Sequence, residues 1–356
     1  MAVASSSPAG SAASSRDVVL EVRDLVTSFD TDAGRLRAVD GVSFSVRRGQ
    51  TLGIVGESGC GKSVSALSIM RLLPQPMGHI DSGQILFDGR DLTKIAPDEM
   101  RQIRGGRIGM IFQEPMTALN PVHTIGKQLS EVFLLHRTKD QAEAWKRSTE
   151  MLRKVGIPAP DVRMTEYPHQ LSGGMRQRVV IAMALACEPS VVIADEPTTA
   201  LDVTIQAQIL ELMQSLQRDM GLAIVLITHD LGVIAETCNE VVVMYVGRVA
   251  ESGPVNDIFD HPSHPYTRGL LDSIPLLENK RKSRLNVIEG MVPGLQDLPV
   301  GCRFQNRCPY RIEKCATQPP LEEVSPGHHA ACWRWRELPS RLAPDLTMAP
   351  FPRAGQ

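Results

Sequence analysis

At 356 residues the chain is long enough for one large domain and a smaller one. A net charge of −2 supplies no basic field for nucleic acid, and 42% apolar with 22% charged residues is the balance of a globular protein. The longest unbroken apolar run, residues 179–187, is about half of the ~20 residues a membrane-spanning helix needs, so the chain is not expected to cross a bilayer by itself.

The first 16 residues are rich in Ser and Ala and lack the basic start and apolar centre of a signal peptide. A disordered leader is therefore expected over 1–17. Residues 18–49 read as paired strands, and Val42-Ser43-Phe44-Ser45-Val46 alternates as a half-buried strand does. Phe29 is expected in the loop between the first two strands, where its ring either stacks on a nucleotide base or packs in the core. Next comes Leu52-Gly53-Ile54-Val55, an apolar strand, followed by Gly56-Glu57-Ser58-Gly59-Cys60-Gly61-Lys62-Ser63 and a helical pattern. Strand, Gly-rich loop and helix in that order make a phosphate loop. Small residues let backbone N–H groups turn around an anion, and the helix start adds its own N–H groups and positive dipole end. Lys62 can then reach the β- and γ-phosphates, and the Ser63 hydroxyl can join a Mg²⁺ shell.

Ile85, Phe87 and the Asp88-Gly89 turn suggest a further hairpin, and Ile108-Gly109-Met110-Ile111-Phe112 a short strand ending at Gln113. From 117 to 186 the texture turns helical: Leu129, Val132, Phe133 and His136 recur at helical spacing, as do Met151, Leu152 and Val155. Within this insertion Leu171-Ser172-Gly173-Gly174 stops one segment and starts another helix, with Ser172 as N-cap. Val191-Val192-Ile193-Ala194 is a strand buried on both faces that ends in Asp195 and Glu196, and Ala223 to Thr228 is another, ending at His229. A helix is expected from about 203, and a strand from Val241 to Met244 turning at Gly247. Alternating strands and helices around a phosphate loop argue for a doubly wound α/β core. In such sheets ligands sit beyond the carboxyl ends of the strands, where Lys62, Asp195, Glu196 and His229 can converge.

Residues 256–336 are rich in Pro and hold four of the seven cysteines, so a small loop-rich appended domain is expected there, followed by a flexible tail over 337–356. Cys302, Cys308, Cys315 and Cys332 are separated by five, six and sixteen residues, wider than the tight C-x-x-C knuckles of most zinc sites. Four thiolates suit a 4Fe–4S cluster, with Zn²⁺ as the alternative, and His328 and His329 keep a three-cysteine, one-histidine set open. Such a site would pin a domain too small to stand on its own core. Cys60, a thiol at a helix N-terminus, is expected to have a lowered pKa and to be open to alkylation.

The series phosphate loop, Gln113, Leu171-Ser172-Gly173-Gly174, Asp195-Glu196, Ala200-Leu201-Asp202 and His229 resembles the ATPase subunit of ABC transporters over residues 18–255. Phe112-Gln113-Glu114-Pro115-Met116-Thr117, Tyr167-Pro168-His169-Gln170 and Met175 look like the dipeptide/oligopeptide importer branch. His264-Pro265-Tyr266-Thr267-Arg268-Gly269 and the Cys302-x-Phe304-x-x-Arg307-Cys308-Pro309 motif resemble that branch's C-terminal domain, which is associated with an iron–sulfur cluster in some members.

The resemblance implies a phosphate-loop ABC ATPase core with an antiparallel β subdomain and a helical insertion. Gly56, Ser58, Gly59, Cys60, Gly61, Lys62 and Ser63 would cradle ATP, and Ser63, Gln113 and Asp195 would attend Mg²⁺. Glu196 would orient or deprotonate the attacking water, assisted by His229 and Gln113. Ser172, Gly173, Gly174 and Asp202 would close on ATP held by a second ATPase subunit, either a paralogue or another copy of this chain. Two transmembrane permease subunits and an extracytoplasmic solute-binding protein are the other implied partners. The place implied is the cytoplasmic face of the plasma membrane, with no nucleic acid involved. Di- or oligopeptides are the implied cargo, with nickel or another small solute as an alternative. A non-transport ATPase acting on DNA or ribosomes is the alternative of another class, but the chain lacks the long heptads or second phosphate loop such proteins carry.

Overall fold

The structure, a computed structural model, describes residues 17–114, 118–199, 201–274 and 287–338. The expected leader up to Arg16, the tail from residue 339, and Pro115, Met116, Thr117 and Ala200 of the quoted motifs lie outside the described residues.

Two sheets organise the described chain. The first is antiparallel, in the order β2-β1-β4-β5, from β1 (Val18–Thr31), β2 (Gly34–Arg47), β4 (Gly78–Phe87) and β5 (Arg90–Asp91). The second has eight strands, in the order β11 (Glu322–Ser325), β12 (His328–Ala330), β10 (Arg248–Pro254), β9 (Glu240–Tyr245), β3 (Thr51–Val55), β8 (Ala223–Ile227), β7 (Val191–Asp195) and β6 (Ile108–Ile111). Its parallel centre is β3, β6, β7, β8 and β9. Every residue of β3, β7 and β8 is buried, which is why these strands read as continuous apolar runs. The alternation expected in β2 is present: Val42, Phe44 and Val46 are buried between half-buried serines.

Helices cover the parallel sheet. They are α1 (Lys62–Ile69), α2 (Pro97–Ile103), α3 (Ile125–His136), α4 (Gln141–Lys154), α5 (Pro160–Arg163) and α6 (Gly173–Leu185). Then follow α7 (Val203–Met220), α8 (Leu231–Thr237), α9 (Val255–Asp260) and α10 (Pro265–Asp272). The helical insertion forms as its spacing predicts. Thr124 caps α3 and Asp140 caps α4, and Leu129, Phe133, Met151, Leu152 and Val155 share one core with β7 and α7. Among the described residues no helix is long and apolar enough to cross a membrane.

Two expectations change. Phe29 is not in a loop: it lies in β1, opposite Leu36 of β2 and Gly78 of β4, half-buried. β1 and β2 continue past it to a tight turn, so the strand is longer than its apolar pattern suggests.

The Cys-rich region, expected as a small appended domain without a sufficient core of its own, is joined to the main sheet. β10 (Arg248–Pro254) pairs with β12 (His328–Ala330) through Glu251↔Ala330 and Ser252↔His329, and β11 (Glu322–Ser325) completes the edge. Tyr266, Leu271 and Phe304 belong to the same buried cluster as Val55, Cys60 and Tyr245. The region grows from the main sheet, and that shared burial holds it.

Candidate nucleotide site

The phosphate loop runs from the end of β3 to α1. Gly56 and Gly61 both have positive φ, 152° and 92°. A Cβ on Gly56 would lie 2.2 Å from the Met244 carbonyl oxygen, and one on Gly61 2.5 Å from that of Ala38. Both glycines therefore let the loop press onto the backbone beneath it. Lys62 is buried, and its Nζ donates to the carbonyls of Gly56 at 2.8 Å and Glu57 at 3.0 Å, which folds the ammonium back over the loop.

Three parallel strands deliver the remaining groups to the same edge. Asp195 ends β7, and its Oδ1 accepts from Ser63 Oγ at 3.0 Å. Burial pushes the Asp195 carboxyl up, the Ser63 bond and nearby Lys62 pull it back, and the Glu196 charge adds to the rise. A desolvated carboxylate beside a hydroxyl is a hard-oxygen pair that fits Mg²⁺. Glu196 follows with φ 48°, a left-handed conformation that a non-glycine residue adopts only under constraint. Its N–H donates to the Ile227 carbonyl at the end of β8, at 2.9 Å. Three groups converge on Glu196 Oε2: Gln113 Nε2 at 3.0 Å, Thr199 Oγ1 at 2.8 Å and His229 Nδ1 at 3.7 Å. Thr199 is a partner that the sequence reading passed over.

The Ser172 element stands on α6. Ser172 Oγ caps the helix by accepting from the Met175 N–H at 3.4 Å, as its position predicts. Gly173 faces Leu201, and a Cβ on Gly174 would come within 2.9 Å of Ile205 on α7. Gln177 binds the Pro197 carbonyl, tying α6 to the segment after Glu196. Asp202 caps α7, accepting from the Ile205 N–H at 2.9 Å. Among the described residues, no hydrogen bond joins 172–174 to the phosphate loop of the same chain.

Besides Thr199, three residues around the loop carried no assigned role in the sequence. Glu57 N–H donates to Tyr266 Oη at 2.8 Å, and the Glu57 carboxylate is held by Arg307 at 2.7 and 3.0 Å. Tyr266 and Arg307 stood in the C-terminal motifs without a role; their long sequence separation from the loop hid the contact.

Two cysteine expectations are corrected. Cys60 is fully buried and burial pushes its thiol up, so it is not the exposed, acidic thiol its helix position suggests. Cys302, Cys308, Cys315 and Cys332 do line one cavity, but its volume is about 20 Å³, little more than one water needs. Among the described residues no group of three or more His, Cys, Asp or Glu is placed to hold a metal ion. Burial drives the Cys302 thiol to about 11 and the Cys332 thiol to about 12. Neither the iron–sulfur cluster nor zinc fits this arrangement.

Comparison with known proteins agrees with the geometry around the loop. Residues 39–199 match the ABC transporter family, and residues 250–315 match the oligopeptide/dipeptide transporter C-terminal region. A probable peptide ABC transporter ATP-binding protein, y4tR of Sinorhizobium fredii, is 54% identical over 323 residues, 90% of this chain and 96% of its own. The oligopeptide transport ATP-binding protein OppD of Bacillus subtilis is 51% identical over 316 residues, 88% of each chain. Among solved structures, the dimeric ATP-binding cassette MJ0796 bound to ADP and Pi superposes with a TM-score of 0.59 at 27% identity, covering 66% of this chain and 98% of that one. The chain belongs to the ATP-binding proteins of the ABC transporter family, in the group that carries the oligopeptide/dipeptide transporter C-terminal region.

Proposed function

We infer that the chain is the ATP-hydrolysing subunit of a peptide importer, bound to two permease subunits at the cytoplasmic face of the plasma membrane. An external binding protein delivers the cargo, so specificity for di- or oligopeptides resides in other subunits. The peptide-transport names of relatives at about 50% identity support the cargo class.

The carrying observation is the convergence on Glu196 Oε2 beside the Ser63–Asp195 pair. ATP lies with its phosphates against Gly56, Ser58, Gly59, Cys60 and Gly61, Lys62 contacts the β- and γ-phosphates, and Phe29 is the aromatic candidate for the base. Ser63, Asp195 and Gln113 hold Mg²⁺, which when bound neutralises the phosphate oxygens. Glu196 orients a water and takes its proton. The water oxygen then bonds to the γ-phosphorus as the bond to the bridging oxygen breaks, giving ADP and inorganic phosphate. His229 donates to the γ-phosphate and steadies Glu196. Ser172, Gly173, Gly174 and Asp202 reach the nucleotide of the partner ATPase, because their own loop is not their hydrogen-bonding neighbour. The dimeric ABC transporter cassette MJ0796 is consistent with that arrangement.

The test is Glu196→Gln in the assembled transporter. Phosphate release falls about 10²–10⁴-fold while ATP binding persists. Peptide with its binding protein stimulates the wild-type ATPase; stimulation by nickel alone, or by DNA or ribosomes, overturns the peptide reading.

A further inference from the structure

We propose that the C-terminal region sets the conformation of the phosphate loop, with Arg307 and Tyr266 as positioning residues for ATP binding. This rests on the loop at 56–63 being the ATP site.

Glu57, the second residue of the loop, is gripped twice from outside. Its backbone N–H donates to Tyr266 Oη, and its carboxylate accepts from both Nη atoms of Arg307. Arg307 is placed to act as a strut. Its side chain is 5% exposed. Nε donates to the Glu289 carbonyl at 3.0 Å, Nη2 to that of Ile288 at 3.3 Å and Nη1 to Tyr245 Oη at 3.4 Å. Its guanidinium carbon lies 5.9 Å from the Tyr245 ring centre and 6.0 Å from that of Phe304. Tyr266 is fully buried, with ring centres 4.7 Å from Tyr245 and 5.4 Å from Phe304. Residues 266, 288–289 and 304–307 thus form one buttress, and the Arg307 charge within it is paired with Glu57.

That geometry has a chemical consequence. With its charge neutralised by Glu57, Arg307 is not itself a phosphate ligand. It fixes the turn after Gly56, and with it the direction in which the later loop N–H groups face. A loop released from this strut must be ordered by ATP at the moment of binding, which weakens affinity while leaving the chemical groups in place.

The experiment uses the full chain with MgATP, measuring Kd by calorimetry, KM and kcat by phosphate release, and Tm by scanning. Tyr266→Phe removes one oxygen and keeps the ring; it should raise the Kd about 3- to 10-fold. Arg307→Gln should raise it about tenfold or more, and Arg307→Lys, which keeps the charge but not the fork, should recover part of the loss. Glu57→Gln combined with Arg307→Gln should bind no worse than the weaker single variant, because both remove the same strut. In each case the change should fall on KM more than on kcat. Should Arg307→Gln fail to fold, Tyr266→Phe and Arg307→Lys decide. Wild-type Kd in these two at unchanged Tm, or strictly additive losses in the double variant, overturns the proposal. Failure of the ATP-site reading itself looks different: the wild-type chain would then bind no ATP.

Discussion

Gln113 and Glu196, 83 residues apart in the chain, are joined side chain to side chain, Gln113 Nε2 donating to Glu196 Oε2 at 3.0 Å. Gln113 follows β6 and leads towards the helical insertion, so the acid proposed to handle water is bonded to the segment that opens that insertion. Gln113→Ala removes the donor but spares Thr199 and His229. It should lower kcat about tenfold or more with ATP affinity near wild type, checked by single-turnover hydrolysis beside equilibrium binding. Loss of binding with unchanged turnover would contradict the assignment.

Asp195 supplies a prediction with a definite sign. Its folded-state carboxyl sits above the usual range because burial disfavours the charge. A raised acid pKa means the folded chain holds the proton more tightly than the unfolded one. The ionised carboxylate therefore lowers stability above the folded pKa, and that penalty disappears as the pH falls below the unfolded value. Asp195→Asn should accordingly raise the Tm of the metal-free chain at pH 7 while weakening Mg²⁺-dependent ATP binding about tenfold or more. Chelating Mg²⁺ should remove the binding difference between the two proteins. A lower Tm for the variant would refute the burial argument.

Cys60 gives a chemical test of the loop's underside. The thiol is fully buried and raised by that burial. Iodoacetamide should label Cys60 in the native chain slower than in urea by about 10² or more, followed by peptide mass spectrometry. Comparable rates in both states would mean that the loop opens readily.

The parts of this protein legible in its sequence are those set by neighbours in sequence. The apolar runs of β3, β7 and β8 announce strands buried on both faces, and Ser172 and Asp202 announce helix starts because capping needs only the next three residues. What escaped depends on distant pairing. β12 is three residues long, too short for any period, yet it fuses the C-terminal region to the main sheet. Arg307 and Glu57 are 250 residues apart, and neither residue type signals the other. The four cysteines misled in another way: their spacing permits a metal site, while among the described residues no group of three or more is placed to hold a metal ion.

The junction that carries Tyr266 is itself pH-sensitive. Glu251 is fully buried on β10 and accepts from His328 Nε2 at 2.7 Å and from the backbone N–H groups of Ser263 and His264. His264 Nδ1 in turn accepts from the Tyr266 N–H at 3.0 Å, capping α10. This bond needs the neutral ring, and burial lowers the His264 pKa from 6.5 to about 4. The unfolded chain takes up a proton near pH 6.5 that the folded chain refuses until about pH 4. Stability from this group is therefore complete above pH 6.5 and is lost as the pH falls from there towards about 4, by on the order of 3 kcal/mol. His264→Asn keeps a side-chain acceptor for the cap and cannot titrate. Urea unfolding of the wild-type chain should show stability falling more steeply over that window than in the Asn variant. Equal slopes in the two proteins would show that His264 does not set the acid sensitivity of this junction.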